Sequence, residues 1–441
     1  YKNGVPGQVS DAGGTGFDVI LPPMNAGETV KYPRRAKPKT KFAYQINGEA
    51  RIVEADESGN AALEFKIPPA DTLGILALQA PDGSTAFERA TLRIKPYMQD
   101  FSRELVEQVK ATKTGPVIDD GKVIFLYRGS ARQISVAGDM TNWDSGRILM
   151  QKISDDLYAV QINVAPMSRF EYKLVVDGDW IVDPLNPHKI DNGVGGENSV
   201  FAMPGYIPTE WDKEVKGFEP LLETIEIQSK VFGEKRKVSV FAVTFASTEP
   251  NYQRVLYIHD GVDYINRARA LNVWQNLVFL GRVKPFIMVF LDPKDRMKEY
   301  WASDHWADFV ANEVVPVIDK RYQTIADRDG RAVIGASLGG ITSLHIGLRH
   351  PDKFSRLGGQ SSSFWIDNGR VVKELESLDA EKTKFRFYLD DGALKGPEDT
   401  RRVNVMLRGK GYTVTYIEGE TGHNWTAWRD RLADAFIAIW N

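Results

Sequence analysis

The feature that most restricts the fold of this chain is a Gly-x-Ser-x-Gly motif between an apolar run and a helix-forming segment. Residues 332–335 are typical of a strand, Ser337 lies between Gly335 and Gly339, and residues 341–348 have the composition of a helix. This order predicts a strand, a sharp turn and a helix, with glycines that let the two elements pass closely and expose the Ser337 hydroxyl. Such a turn presents a nucleophile, but glycine-rich strand–helix turns also serve packing or phosphate binding. Features elsewhere in the chain are needed to distinguish a nucleophile turn from a turn that serves packing or phosphate binding.

Beyond residue 220, apolar runs alternate with amphipathic segments of helical length. After a hairpin of two strands, six further strands are predicted, at 254–259, 286–291, 332–335, 356–360, 385–389 and 413–417. This alternation is typical of a doubly wound, mostly parallel sheet with helices on both faces. We therefore predict an α/β fold for residues 220–441.

The first half of the chain has a different hydrophobic pattern. Short segments alternate apolar and polar residues between turn signals, both before residue 97 and from residue 122 to about residue 203. Period-two alternation at this spacing predicts small β-sandwiches. We therefore predict three domains, namely a β-sandwich spacer at 1–97, a second β-sandwich at 98–206 and the α/β domain at 220–441.

Composition limits the classes of partner and site. The 441 residues carry a net charge of -3 without a block of like charge, which argues against binding of nucleic acid. The chain has no cysteine, so disulfides and thiolate metal sites are excluded. No apolar run approaches the ~20 residues that a membrane span needs. Because the first residue is Tyr1 rather than Met, we expect a secreted or periplasmic protein from which a signal peptide has been removed.

A histidine in the right place supports a nucleophilic role for Ser337. A serine hydroxyl is a weak nucleophile and needs a general base within hydrogen-bond reach. One of only six histidines, His423, follows the last predicted strand and precedes the final helix. Ligands of open α/β sheets bind at the carboxyl ends of the strands, where both residues fall. We therefore predict an α/β-hydrolase, in which the chain order is nucleophile, acid, histidine.

The remaining parts of such a site are less sharply defined. An acid that orients the histidine should follow the strand at 385–389, where the candidates are Asp390, Asp391, Glu398 and Asp399. For the oxyanion hole we predict the backbone N–H groups of Leu338, after the nucleophile, and Gly261, after an early strand.

Two positions are candidate contacts to the substrate. Arg296 lies in the charged cluster 295–299, which either binds an anionic or catechol-like substrate or forms a buried ion pair that shapes the site, and we favour the ion pair. Trp365 follows a predicted strand end and is the better candidate for contact with an aromatic acyl group. Trp425 and Trp428, three residues apart on a helix, are expected in the core.

Together these motifs resemble the esterase-D family, which includes enterochelin esterases, feruloyl and acetyl-xylan esterases, and mycolyltransferases. The resemblance covers about 220 residues and is carried by residues 256–261, 292–296 with 299–300, 313–322, 335–340, 360–365 and 422–425. It implies that Ser337 is the nucleophile and His423 the base.

The chain departs from this family at the acid. Family members usually place it three or four residues after the glycine that matches Gly392, where this chain has lysine and glycine. Either a short insertion at 395–397 moves the role to Glu398 or Asp399, or Asp390 serves, or the enzyme works as a Ser–His dyad. We predict Glu398.

A second resemblance lies in the second β-rich segment. Residues 136–143, 170–180, 183–184 and 195–200 look like the glycogen-binding modules attached to starch-active enzymes and to kinase regulatory subunits. That resemblance implies that Trp143 and Trp180 stack on sugar rings, while Lys173 and Asn198 hydrogen-bond to hydroxyls. Aromatic faces bury the apolar side of a pyranose, so the residue types suit the role. Many modules of this type are only scaffolds, and sugar binding is a hypothesis.

The predicted function is a serine carboxylic-ester hydrolase, specifically a feruloyl or acetyl-xylan esterase that acts on plant cell-wall polysaccharide or a feruloylated oligosaccharide. One alternative is an enterochelin-type siderophore esterase, which shares the catalytic motifs. Another, from a different class, is a non-catalytic glycan-binding protein with a vestigial hydrolase domain. No metal ion or organic cofactor is predicted.

Overall fold

The computed structural model divides the chain into two compact units. It describes residues 103–119, 121–243, 252–393 and 397–441, and before them residues 8–10, 18–24, 29–35, 38–39, 41–46, 49–58, 60–66, 75–79 and 87–94. The amino-terminal unit comprises Tyr1–Asp191 and Gly195–Tyr206, and the α/β unit comprises Asn192–Val194 and Ile207–Asn441. The further boundary near residue 97 stays a prediction.

The first part of the amino-terminal unit is built from strands. They are β1 (Gln8–Ser10), β2 (Asp18–Met24), β3 (Thr29–Arg35), β4 (Lys41–Ile46), β5 (Glu49–Glu54), β6 (Asn60–Lys66), β7 (Ile75–Gln79) and β8 (Phe87–Ile94). Six of them form one sheet in the order β1-β2-β8-β7-β4-β5, and β3 pairs with β6 in a second sheet.

The described residues in the rest of this unit form one α-helix, a short 3-10 turn at Asp139–Thr141 and two further sheets. Its elements are α1 (Arg103–Ala111), β9 (Val117–Asp119), β10 (Lys122–Arg128), β11 (Ile134–Gly138), β12 (Ile148–Leu149), β13 (Gln151–Ser154), β14 (Leu157–Asn163), β15 (Arg169–Val176), β16 (Asp179–Ile181), β17 (Lys189–Asp191) and β18 (Glu197–Ala202). One sheet has the order β13-β14-β10-β9 and the other β12-β11-β15-β18-β17, with β16 paired to β15. The sheets face each other through Phe125 and Tyr172, whose ring centroids lie 4.8 Å apart.

The α/β unit alternates strands and helices. The strands are β19 (Glu223–Gln228), β20 (Lys235–Phe241), β21 (Arg254–His259), β22 (Phe286–Leu291), β23 (Arg331–Ala336), β24 (Arg356–Gln360), β25 (Arg386–Gly392) and β26 (Thr413–Gly419). The helices are α2 (Gly261–Asn266), α3 (Ala270–Phe279), α4 (Arg296–Glu299), α5 (Asp304–Phe309), α6 (Val315–Arg321), α7 (Leu338–Arg349), α8 (Arg370–Glu376), α9 (Ala380–Thr383), α10 (Glu398–Gly409) and α11 (Trp425–Trp440).

One eight-stranded sheet organises this unit. Its order is β19-β20-β22-β21-β23-β24-β25-β26, with antiparallel pairing at β19, β20 and β22 and parallel pairing from β22 to β26. Every residue of β22 and β23 is buried, because helices cover both faces of the sheet. One core cluster lies on each face, and the carboxyl ends of the parallel strands meet at one edge. The predicted α/β class is confirmed for this unit.

The strand that was predicted to end at residue 389 continues to Gly392. Asp390 and Asp391 therefore lie within β25 and project to opposite sides of the sheet, rather than in a loop after it. Aspartate is uncommon in strands, but both carboxylates here are buried and receive hydrogen bonds.

Among the described residues, no helix is both long and apolar enough to cross a membrane.

Candidate active site

Ser337 lies on a sharp turn between β23 and α7. Its φ is 57° and its ψ is -117°, a conformation that residues with a side chain rarely adopt. The turn is close because Gly335 lies against the backbone of Gly339, where a Cβ on Gly335 would come within 2.4 Å of the Gly339 carbonyl carbon. The Ser337 N–H donates to the Gln360 carbonyl at 2.8 Å, which anchors the turn to β24. The side chain is left partly exposed at the carboxyl edge of the sheet.

His423 lies beside Ser337. Its Nε2 is 3.0 Å from the Ser337 Oγ, within hydrogen-bond distance. The imidazole sits edge-on to the Trp428 ring, with centroids 5.0 Å apart. Asn424 caps α11 by accepting the Ala427 N–H, so the helix that follows fixes the end of the histidine loop. The structure thus brings the two predicted residues together in the geometry of a nucleophile and its base.

The first two candidate acids are held by other groups. The Asp390 carboxylate accepts hydrogen bonds from Gln360 and Tyr388 and pairs with Arg431 at 3.2 Å. Burial raises the pKa of Asp390, and Arg431 opposes that rise most strongly. The Asp391 carboxylate accepts the Gly392 N–H and the Thr400 hydroxyl.

The other two candidates lie in the first turn of α10. Glu398 begins the helix and is partly buried, and Asp399 lies within 4.0 Å of Arg402. The lysine and glycine at 395–396 fall outside the described residues. The choice of Glu398 as the acid stays a prediction.

One of the two predicted oxyanion donors is well placed by the helix geometry. Leu338 is the first residue of α7, so its N–H has no acceptor within the helix. Gly261 lies at the start of α2, after Asp260 in the left-handed conformation. The N–H groups of Gly261 and Val262 both hydrogen-bond to Asp292, where they oppose the rise in pKa that burial causes. Gly261 would have to turn away from Asp292 to stabilise an oxyanion.

The charged cluster 295–299 forms ion pairs, as the sequence analysis favoured, with partners both inside and outside the cluster. Arg296 makes a two-fold contact to Asp260, with both N–O distances at 2.8 Å, instead of pairing within its own segment. Glu299 pairs with Arg236, and Asp295 caps α4. Because α4 has a single turn, its successive side chains diverge to different partners. Arg296 also lies 3.5 Å from the Ala336 carbonyl, one residue before the nucleophile.

Apolar side chains are exposed near these groups. Trp365 is 56% exposed and packs edge-on against Trp301, with ring centroids 5.6 Å apart. Val262 and Met297, each next to a residue of the site, are also exposed. Trp428 is buried, in agreement with its predicted core position.

The sequence analysis gave no role to two groups behind the site, the half-buried Asp292 and the buried His259. Asp292 accepts a hydrogen bond from the Val262 N–H in the turn after β21. His259 forms hydrogen bonds with the Ser343 hydroxyl and the Trp306 indole N–H. Burial lowers the pKa of His259 to about 3, so this histidine is neutral and structural. The position of Asp292 directly after a buried strand was the signal that could have identified it.

The amino-terminal unit carries two tryptophans side by side. The rings of Trp143 and Trp180 stack with centroids 6.4 Å apart and an angle of 24° between planes, and we call this pair the tryptophan platform. Lys173 is half-buried on β15, the strand that pairs with the strand of Trp180. Asn198 is buried and donates to Glu171, so its amide already has a protein partner.

The strand order, the serine on its sharp turn and the histidine in contact with it define an α/β-hydrolase with a serine-type esterase site. Residues 229–439 match the family described as "Putative esterase", and residues 122–201 match "Glycogen recognition site of AMP-activated protein kinase". The α/β unit thus belongs to the esterase family of the esterase-D type. A module similar to glycogen-recognition domains precedes it.

Several known proteins are similar to this chain. An iron(III) enterobactin esterase of Escherichia coli (strain K12) is 25% identical over 317 residues, which are 68% of this chain and 77% of that protein. An endo-1,4-beta-xylanase/feruloyl esterase of Xylanibacter ruminicola is 27% identical over 186 residues, 40% of this chain and 24% of that protein. The crystal structure of the ferric enterobactin esterase of Salmonella typhimurium has a TM-score of 0.61 at 20% identity and covers 76% of this chain and 98% of that chain. At this identity the structural match supports the fold alone.

Proposed function

We propose that the chain is a feruloyl or acetyl-xylan esterase that acts on plant cell-wall polysaccharide through Ser337 and His423. The observation that carries the proposal is the 3.0 Å contact between His423 Nε2 and Ser337 Oγ at the exposed turn. In the proposed reaction His423 accepts the hydroxyl proton as Oγ attacks the ester carbonyl carbon. The same proton then passes to the departing sugar oxygen, leaving the acyl group on Ser337. Water, activated by His423, releases the acid.

Three other groups complete the proposed mechanism. The Leu338 N–H, and Gly261 once it turns from Asp292, stabilise the oxyanion of the tetrahedral intermediate. Glu398 orients His423 and stabilises the imidazolium. Glu398 is the first residue of α10, which follows β25 at the carboxyl edge of the sheet, and this position supports it for the role.

The charges near Ser337 favour an uncharged acyl group. Each cation of the segment that carries Arg296 has a carboxylate partner: Lys294 with Glu234, Arg296 with Asp260 and Lys298 with Asp295. The ferric complex of a catecholate trilactone is an anion, and its binding calls for cations that are not already neutralised. The exposed Trp365 suits an aromatic ring such as that of ferulate.

The amino-terminal unit supports a polysaccharide as the carrier of the acyl group. The tryptophan platform brings two aromatic rings together, of which Trp180 is 44% exposed, and the similarity to a bacterial xylanase/feruloyl esterase also favours a polysaccharide. A siderophore esterase is the second candidate, because the similarity to enterobactin esterases extends over a larger share of the chain.

The test measures two substrates side by side with the whole chain. We expect release of ferulate from feruloylated arabinoxylan with kcat/KM at least about tenfold above that for a ferric catecholate trilactone, equivalent to ~1.4 kcal/mol. The reverse preference would assign the siderophore function. No turnover of either substrate or of an activated ester would leave only the glycan-binding function.

Loss of the tryptophan platform is expected to weaken retention by polysaccharide. We expect Trp143→Ala with Trp180→Ala to weaken binding to arabinoxylan at least about tenfold, because exposed aromatic anchors dominate such contacts. Affinity electrophoresis of the whole chain in gels with and without the polysaccharide measures this effect. Met167→Ala, another exposed apolar side chain of the same unit, is the control and should keep full retention. Equal retention of the double variant and the control would contradict sugar binding at the platform.

A further inference from the structure

Arg431 is a buried cation that connects the histidine loop to the centre of the sheet. It lies on α11 and is 6% exposed. Its Nη1 donates to the Thr421 hydroxyl at 2.9 Å, and its Nε lies 3.2 Å from Asp390 Oδ1. Thr421 is two residues before His423. A charged side chain from the final helix therefore holds the loop that carries the proposed base.

The connection continues from Asp390 to the turn of the nucleophile. Asp390 accepts a hydrogen bond from the Gln360 side chain at 2.8 Å, and the Gln360 backbone carbonyl accepts the Ser337 N–H at 2.8 Å. Tyr388 also donates to Asp390 at 2.8 Å. One buried hydrogen-bonded path thus joins the backbone of Ser337 to the loop of His423.

The histidine loop is short and packs against the end of β25. Only residues 420–424 separate β26 from α11. The carbonyls of Thr421 and Gly422 lie against Gly392, where a Cβ would come within 2.3 Å and 2.7 Å of them, so the loop rests on the end of β25. The Arg431 contact is a side-chain anchor from the other neighbour of the loop, the final helix.

A buried ion pair is a poor source of stability, because desolvation of both charges offsets their attraction. It does fix geometry, since a guanidinium presents its donors in a rigid plane. A displacement of about 1 Å in a catalytic group can cost ~10²-fold in rate. A pair that holds the His423 loop within that tolerance therefore supports the reaction rate, even though it adds little to the free energy of unfolding.

We propose that Arg431, held by Asp390, is a positioning residue that sets the distance between His423 and Ser337 through the Thr421 hydroxyl. This inference rests on the proposed catalytic roles of Ser337 and His423. It assigns Asp390 to the support of the base loop rather than to the triad.

The test removes the hydroxyl that Arg431 holds and leaves the buried ion pair intact. Thr421→Val is expected to lower kcat for an activated ester by about 10-fold to 100-fold at unchanged KM. Thr421→Ser, which keeps the hydroxyl, should restore kcat to within about threefold of the original chain. Titration with an irreversible phosphonate counts the folded sites, so that kcat refers to competent enzyme.

A matched substitution separates positioning from a general loss of packing. Thr324 is also a buried threonine, and its hydroxyl donates to Asp319 at 2.7 Å next to the amino end of β21, at the opposite edge of the sheet. Thr324→Val should leave kcat per site unchanged. Equal kcat for Thr421→Val and the original chain, an equal loss in both valine variants, or no rescue by serine would overturn the inference. An original chain that turns over no activated ester would overturn the proposed function and this inference together.

Discussion

Replacement of Ser337 by alanine is expected to lower kcat for an activated ester such as 4-nitrophenyl acetate by about five to six orders of magnitude. The hydroxyl is the atom that attacks the carbonyl, and alanine removes it while leaving the turn and the oxyanion donors in place. Residual turnover should come from binding and from the Leu338 N–H alone. Initial rates at saturating ester, normalised to folded protein by circular dichroism, measure the effect.

Ser355 provides the control for this replacement. It is a buried serine at the amino end of β24, where its hydroxyl donates to the Arg328 carbonyl. Ser355→Ala removes the same atom far from the carboxyl edge of the sheet and should change kcat by less than about threefold. If Ser337→Ala kept more than a hundredth of the original kcat, the hydrolysis would have to arise elsewhere in the chain.

Replacement of Glu398 by glutamine is expected to lower kcat by about three to four orders of magnitude, because an amide cannot hold the His423 tautomer or balance the imidazolium charge. Asp391→Asn removes one charge from the neighbouring position and should lower kcat by no more than about tenfold, since the Asp391 carboxylate is held by Gly392 and Thr400. The pH dependence of kcat/KM for both variants, against the original chain, tests the assignment. The basic form of His423 limits the acid side of that profile.

Two results would count against Glu398. A larger loss in Asp391→Asn than in Glu398→Gln would move the role to the end of β25. Losses below about tenfold in both variants, with Ser337→Ala inactive, would indicate a Ser–His dyad that works without a carboxylate.

The sequence was sufficient for most of the α/β framework. The strands at 254–259, 286–291 and 356–360 have the predicted limits, and so does the last helix, because long apolar runs and clear caps are local signals. The Gly-x-Ser-x-Gly motif located the nucleophile turn for the same reason. The pairing of Ser337 with His423, 86 residues apart, followed from the rule that strand ends of a parallel sheet share one edge.

Local sequence signals could not identify the ion-pair partners of the charged side chains. The sequence favoured an ion pair at Arg296 but did not identify its partner, which is Asp260 at the end of the neighbouring strand β21. The end of β25 was placed too early because two aspartates there looked like a loop. Partner choice depends on where a side chain points after folding, and a one-turn helix such as α4 directs neighbouring residues to different parts of the unit. The identity of the acid is hard to predict for the same reason, and the family spacing gives no carboxylate there.

The backbone of Ser337 also bears on whether the hydrolase unit, in one chain with a module similar to glycogen-recognition domains, is active. A residue with a side chain at φ 57° and ψ -117° costs about 1–3 kcal/mol that glycine would avoid. A unit retained only as a passive support for the module would become more stable by exchanging this serine for glycine, and it would lose nothing. The chain instead keeps a locally unfavourable residue at the one position where its hydroxyl meets an imidazole. Strained backbone angles of this kind cluster at functional sites, so the Ser337 turn favours a catalytic domain over a vestigial one.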